Sequence, residues 1–336
     1  AVAAILPAVL YFVSVYFMVD FEAAKLGMRG MREDELPKLG KMLRQAYLFL
    51  PIIILIYALF AGYSVIRAGA LATIAAAVVS WLTPNRMGLR SVFRAFELAG
   101  IMSIQIIAVC ACAGIIVGVI SLTGVGARFS SVLLGIADTS QLLALFFAMC
   151  ISILLGMGMP TTAAYAVAAS VVAPGLVQLG IPQLTAHFFV FYFAVLSAIT
   201  PPVALASYAA AGISGANPME TSVASFKIGI AAFIVPFMFF YNSAILMEGH
   251  WLAILQAAVT AIFGVFLLSA GVQGWFMGRR SAWFVRGALL VAALFMIEGG
   301  LLSDAVGILL AAGCYAIQKA FKPDPDASIP VRGTAD

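Results

Sequence analysis

From Thr139 to Met219 the chain contains not one Asp, Glu, Lys or Arg. So long a stretch without charge is foreign to water-soluble domains, in which about one residue in four is charged. The 336-residue chain as a whole agrees, with 64% of its residues hydrophobic and 10% charged. A helix that crosses a bilayer needs about 20 apolar residues. Such runs occur at 1–19, 47–66, 68–83, 99–121, 139–155, 163–177, 184–213, 228–247, 251–271, 283–300 and 303–317. They are unbroken and rich in Ala, Leu and Ile, without the alternating ten-residue units of a membrane β-barrel. The fold class expected is an all-α polytopic membrane protein, embedded in lipid.

The remaining polar content excludes several kinds of chemistry. The formal charge of +4 reads as loop orientation, since Lys and Arg in membrane proteins mark cytoplasmic loops; it does not point to nucleic acid. Cys110, Cys112, Cys150 and Cys314 lie inside apolar runs and are expected to be small buried hydrophobes, neither disulfides nor metal ligands. His187 and His250 are the only histidines, and no His/Cys/carboxylate set has metal-ligand spacing. An enzyme would need titratable or nucleophilic groups converging in the membrane. No catalytic residue is expected.

Orientation follows from the positive-inside rule. With 20–46 in the cytoplasm, carrying Lys25, Arg29, Arg32, Lys38, Lys41 and Arg44, spans 47–66 and 68–83 return the chain to the same side at Arg86, Arg90 and Arg94. Span 99–121 then leads to an outer loop of low charge with Arg128 and Asp138. Segment 184–213 decides the rest. As a single interrupted crossing it puts Lys227, Arg279, Arg280, Arg286, Lys319, Lys322 and Arg332 inside and leaves only Arg67 and Arg128 outside. As two crossings it would move all seven outside, so one broken helix is favoured. Residues 33–45 and 85–98 read as amphipathic helices in the cytoplasmic interface, 214–227 as a turn and a short interfacial helix, and 322–336 as a disordered tail.

Two interruptions fall inside the charge-free stretch: Leu155-Gly-Met-Gly-Met-Pro-Thr-Thr162 and Ser197-Ala-Ile-Thr-Pro-Pro202. In hydrocarbon an unpaired backbone N–H or C=O is costly, so irregular backbone persists only where protein or a polar cavity satisfies it. Carbonyls at the C-terminus of a half-helix suit a small cation, and N–H groups at an N-terminus suit an anion. Thr161, Thr162, Ser197 and Thr200 add hydroxyl oxygens. A proton-coupled carrier usually titrates an intramembrane carboxylate or histidine, and here only His187 lies in the zone. It stands near a span start, where a structural role is the simpler reading. Neutral oxygens favour Na⁺ over H⁺ as coupling ion. By contrast Pro7, Pro51 and Pro236 stand singly and read as ordinary caps or kinks.

The run Gly156-Met-Gly-Met-Pro-Thr-Thr-Ala-Ala-Tyr165, then Ser197-Ala-Ile-Thr-Pro-Pro-Val-Ala-Leu-Ala-Ser-Tyr208, then Ala211-Gly-Ile-Ser-Gly-Ala-Asn-Pro218 resembles the large permease subunit of tripartite ATP-independent periplasmic (TRAP) transporters, most closely the fused permeases of the TAXI subgroup. Segments 1–30 and 226–242 also resemble that group, and 251–317 resembles an extra C-terminal membrane region of some fused members. The resemblance implies an elevator-type fold of two inverted repeats, each with a helical hairpin and a discontinuous helix, binding Na⁺ and substrate where the repeats meet. Gly156, Gly158, Pro160, Thr161 and Thr162 would form the hairpin tip of the second repeat, and Ser197, Thr200, Pro201 and Pro202 the break of its discontinuous helix. Such midplane sites agree with general transporter architecture.

No Gly-x-Gly-x-Pro-Thr or Thr-Pro-Pro sequence occurs before residue 139, so the first repeat's hairpin and break are missing from this sequence. The chain is accordingly expected to be the C-terminal part of a longer or divided permease. The expected layout is 1–98 as membrane helices with interfacial helices linking the repeats, 99–247 as the second transport repeat with hairpin 139–177 and broken helix 184–213, 248–318 as extra C-terminal helices, and 319–336 as a cytoplasmic tail. The resemblance implies sodium symport of a small organic anion across a bacterial or archaeal inner membrane. Its partners would be a periplasmic substrate-binding protein, the N-terminal half of the permease and a small four-helix subunit. Rival readings are a symporter needing no binding protein and a scaffold subunit without transport of its own.

Overall fold

The computed structural model describes residues 2–28, 30, 40, 45–83, 86–298 and 300–320. The expected surface helix at 33–45 falls almost wholly outside the described residues, and the tail at 322–336 lies entirely outside them.

The regular structure of the described residues is helical apart from one hairpin of two-residue strands, β1 (Trp275–Phe276) against β2 (Arg279–Arg280). The helices are α1 (Ile5–Lys25), α2 (Leu50–Phe60), α3 (Val65–Ser80), α4 (Leu89–Thr123), α5 (Val125–Ala137), α6 (Gln141–Gly156), α7 (Thr161–Gln178), α8 (Gln183–Leu196), α9 (Leu205–Ser214), α10 (Pro218–Gly229), α11 (Val235–Tyr241), α12 (Trp251–Gln273), α13 (Trp283–Glu298) and α14 (Leu301–Ala320). Five helical segments among the described residues are long and apolar enough to cross a membrane: Val2–Lys25, Leu89–Thr123, Thr161–Gln178, Pro218–Tyr241 and Trp251–Gln273. Helix is forced here by solvent as much as by sequence, because lipid offers no partner to backbone groups and a helix satisfies its own. The chain is an all-α polytopic membrane protein.

The contacts divide the chain into two units, one from 29 to 108 and the other formed by 2–28 with 109–336. In the first, α2 packs on α3; Pro51 enters the first turn of α2, and the Ser64 hydroxyl caps α3 by accepting from the Arg67 N–H at 3.4 Å. Hydrogen bonds from the Tyr47 hydroxyl to the Leu82 carbonyl (3.3 Å) and from the Trp81 ring N–H to the Met87 carbonyl (3.1 Å) tie its ends.

The second unit holds the packed interior. Its main cluster centres on the fully buried Phe189, Phe193, Phe239, Leu145 and Leu176. A further cluster joins α1 to the C-terminal helices through Met18, Phe21, Leu267, Leu289 and Met296. Phe17 and Phe21 of α1 meet Phe266 of α12 edge-on, with centroids at 5.2 and 5.5 Å, and the Gln273 side-chain amide donates to the Met18 carbonyl at 3.1 Å. Helix starts are marked by side-chain caps. Ser140 accepts from Leu143 N–H, Asn217 from Met219 and Glu220 N–H, and the His250 ring from Leu252 N–H, each replacing a partner that the first turn lacks.

Four expectations are corrected. Residues 85–98 do not form a separate surface helix: from Leu89 they are the opening turns of the 35-residue α4, because the amphipathic stretch runs into the apolar one with no Gly or Pro between Leu89 and Leu98 to stop it. The supposed loop carrying Arg128 and Asp138 is mostly the helix α5, which starts after the left-handed Gly124 (φ 66°). Residues 218–241 form a nearly continuous helical segment through the 3-10 turn Ile230–Ile234, so the short interfacial helix and the following span run together. Of the cysteines only Cys314 is buried; Cys110, Cys112 and Cys150 are exposed on helix faces turned away from protein neighbours. Apolar context in a membrane chain does not mean protein burial.

Candidate functional site

α6 ends at Gly156 and α7 begins at Thr161, so Met157–Pro160 is a four-residue connection between two helices that pack on each other and on α8. Gly158 takes φ 77°, the left-handed region that costs glycine little. Pro160, with φ −59° and ψ 149°, precedes the first turn of α7, and its missing N–H loses nothing at a helix start.

α8 stops at Leu196. The chain makes a 3-10 turn, Ser197–Ile199, passes through Thr200 in extended conformation and the Pro201–Pro202 pair, whose connecting peptide is cis, and resumes as α9 at Leu205. Segment 184–213 is thus two helices with a non-helical break between them. The Ser197 hydroxyl donates to the Ala194 carbonyl at 2.6 Å and the Thr200 hydroxyl to the Leu196 carbonyl at 2.8 Å; both side chains are buried. Each hydroxyl proton is thereby turned into α8, and each oxygen keeps lone pairs for a further partner. The Tyr208 hydroxyl of α9 donates to the Pro202 carbonyl, holding the resumed helix to the break.

The two interruptions meet. A Cβ at Gly156 would stand 2.8 Å from the Ser197 hydroxyl oxygen and 2.9 Å from the Ala194 carbonyl oxygen; one at Gly158 would stand 3.5 Å from Val203 Cγ1. Gly156 at the end of α6 and Gly158 in the connection therefore both lie against the break of the neighbouring helix, and at Gly156 only a hydrogen fits. Pro201 is half-buried and Pro202 exposed beside them. Thr161 and Thr162 stand exposed at the start of α7, with no hydrogen-bond partner for their hydroxyls among the described residues. The N–H groups of the first α7 turn point out of the helix, as at every helix N-terminus.

His187 of α8 lies 2.8 Å through Nδ1 from the Tyr165 hydroxyl of α7, sharing a hydrogen bond, and Tyr165 also meets Phe191 edge-on. The pair fastens two helices of the hairpin region. One residue was missed at the sequence level: Ser207, three residues into α9, has a buried hydroxyl oxygen with no partner among the described residues. It lies in an Ala-rich run where a single Ser gives no signal.

Interrupted helices paired break to tip, inside a charge-free membrane region, define a class: a polytopic membrane protein with the backbone geometry of a secondary transporter. The family model "Tripartite ATP-independent periplasmic transporter, DctM component" matches residues 1–254, and the chain belongs to that family. It is a TRAP transporter permease component, a multi-pass membrane protein. No curated protein and no solved structure matches the chain.

Proposed function

We propose that this permease component couples the inward movement of Na⁺ to import of a small organic anion, with the α6–α7 connection and the α8–α9 break forming one half of the binding site. The observation that carries this reading is the contact of Gly156 with Ser197 and Ala194, which places two sets of helix ends side by side. The Ser197 and Thr200 oxygens, with the last carbonyls of α8, make a neutral oxygen-rich surface suited to a weakly held monovalent cation. The Thr161 and Thr162 hydroxyls and the α7 N-terminal N–H groups suit a carboxylate. Gly158, Pro160, Pro201 and Pro202 keep the two backbones from closing into helix. Ser207 offers one more hydroxyl. No Lys or Arg occurs between 139 and 219, so charge selection within this stretch rests on backbone and hydroxyl dipoles.

On this reading the protein is an inner-membrane symporter of the elevator type. A periplasmic binding protein delivers the substrate, and an N-terminal permease half and a small four-helix membrane partner complete the machine. Residues 251–317 would then be the extra C-terminal membrane region of a fused, TAXI-type permease. The test is uptake into proteoliposomes carrying this chain with those partners and a loaded binding protein. An inward Na⁺ gradient accelerates uptake over an equal K⁺ or choline gradient; equal rates with all three cations would refute sodium coupling.

A further inference from the structure

α12, α13 and α14 lie almost entirely beyond residue 254, where the family match ends. Their charges are sorted by end. Glu248, His250, Glu298 and Asp304 all occur at or near the end where α12 and α14 begin, while Arg279, Arg280, Arg286 and Lys319 occur at the other.

The basic end is satisfied by geometry. Arg286 donates from Nε to the Gly271 carbonyl at 3.0 Å and from Nη2 to the Val272 carbonyl at 2.8 Å, closing the C-terminus of α12, and Arg279 donates to the Gln318 carbonyl at 3.4 Å. The acidic end is not. Asp304, fourth residue of α14, is 6% exposed, and among the described residues it is the one charged side chain that is buried. Its Oδ2 accepts a single long hydrogen bond, 3.3 Å, from the Gln256 amide of α12, and its Oδ1 is buried with no partner. The neighbouring Ser303 gives no help, because its hydroxyl is engaged with the Gly300 carbonyl and N–H, both at 2.9 Å. No Lys or Arg among the described residues forms an ion pair with Asp304.

A carboxylate taken out of water inside an apolar helix bundle needs a compensating positive charge. The N-terminal end of α14 supplies part of it, and one amide cannot supply the rest. We propose that Asp304, with Gln256, is a monovalent-cation site of the C-terminal helices, separate from the α6–α9 site, whose occupant is a proton or a sodium ion bound at Oδ1. Gln256 serves either occupant: its amide turns to present nitrogen to the bare carboxylate or oxygen to the bound cation. Among the described side chains, the groups able to bias occupancy are Gln256 in contact and Glu248 and His250 ahead of α12; the arginines stand at the far end.

Dicyclohexylcarbodiimide, an apolar reagent that modifies protonated carboxyls in membrane interiors, tests this on the full chain in detergent, with peptides read by mass spectrometry. In sodium-free buffer the Asp304 peptide becomes labelled while those of the exposed Glu220 and Glu248 do not, and Asp304→Asn loses the label. Protection by sodium chloride but not by choline chloride identifies Na⁺ as the occupant, and Gln256→Leu then weakens that protection. Labelling that sodium leaves unchanged identifies a proton. Labelling of wild-type Asp304 no greater than that of Glu220 would overturn the site, without reference to transport and without relying on a variant that folds.

Discussion

The region from α6 to α9 and the three C-terminal helices α12 to α14 meet the same solvent in opposite ways. The C-terminal helices run nearly unbroken, keep their charges at their ends and hold one buried carboxylate. The α6–α9 region has no Asp, Glu, Lys or Arg, and at its two interruptions the polar groups are backbone and hydroxyl, freed because two helices stop in mid-run. A membrane protein can thus place a dipole in its interior by breaking a helix or by burying an ionisable side chain. The first uses neutral dipoles, and the second brings in a carboxyl group.

Substitutions can break this comparison. The largest effect is expected for Gly156→Val, because backbone as well as the Ser197 hydroxyl blocks the new side chain; overpacking of this kind costs about 1–3 kcal/mol, and sodium-dependent uptake is lost with it. A thermal unfolding midpoint and uptake rate equal to wild type would show that tip and break are not in contact. Gly307→Val in α14 meets chiefly the Met296 side chain, 2.7 Å to Cγ, with the Ala292 carbonyl at 3.0 Å. It lowers the unfolding midpoint by less, since methionine yields, and leaves the sodium dependence of uptake as it was. A changed sodium dependence there would couple the two regions.

Thr200→Val keeps the shape of the break and removes an oxygen. Sodium affinity falls about tenfold, near 1.4 kcal/mol, with little change in folding; sodium titration of uptake decides the point. Tyr165→Phe removes the bond to His187 and costs about 1 kcal/mol of stability with sodium dependence intact. If uptake in that variant lost its sodium dependence instead, His187 would have to be reckoned part of the coupling site.

The sequence made the breaks legible because Gly-x-Gly-x-Pro and Thr-Pro-Pro concentrate helix-breaking residues beside hydroxyls in mid-run, whereas the lone Pro174 stays inside α7. It did not reveal that Gly156 and Ser197 touch, since that depends on how α6 and α8 pack, over a separation no local pattern encodes. α5 was hidden by a single Arg in a moderately apolar stretch. Asp304 was overlooked because one carboxyl near the start of an apolar run looks like a loop residue; only its burial and its orphan oxygen mark it out. The β-hairpin at 275–280 gave no alternation to read, being two residues a side.

The bond from Gln273 to the Met18 carbonyl spans 255 positions. Ribosomes add about 5–20 residues each second, so Met18 is made roughly 13–50 s before its partner Gln273. Through that interval the Met18 and Phe21 face of α1 has no α12 to pack against, and lipid or the insertion machinery must shelter it. The seam between α1 and α12 therefore closes late, and a nascent chain that stalls before α12 holds α1 only through its other contacts, among them the hydrogen bond that the Tyr192 hydroxyl donates to the Pro7 carbonyl.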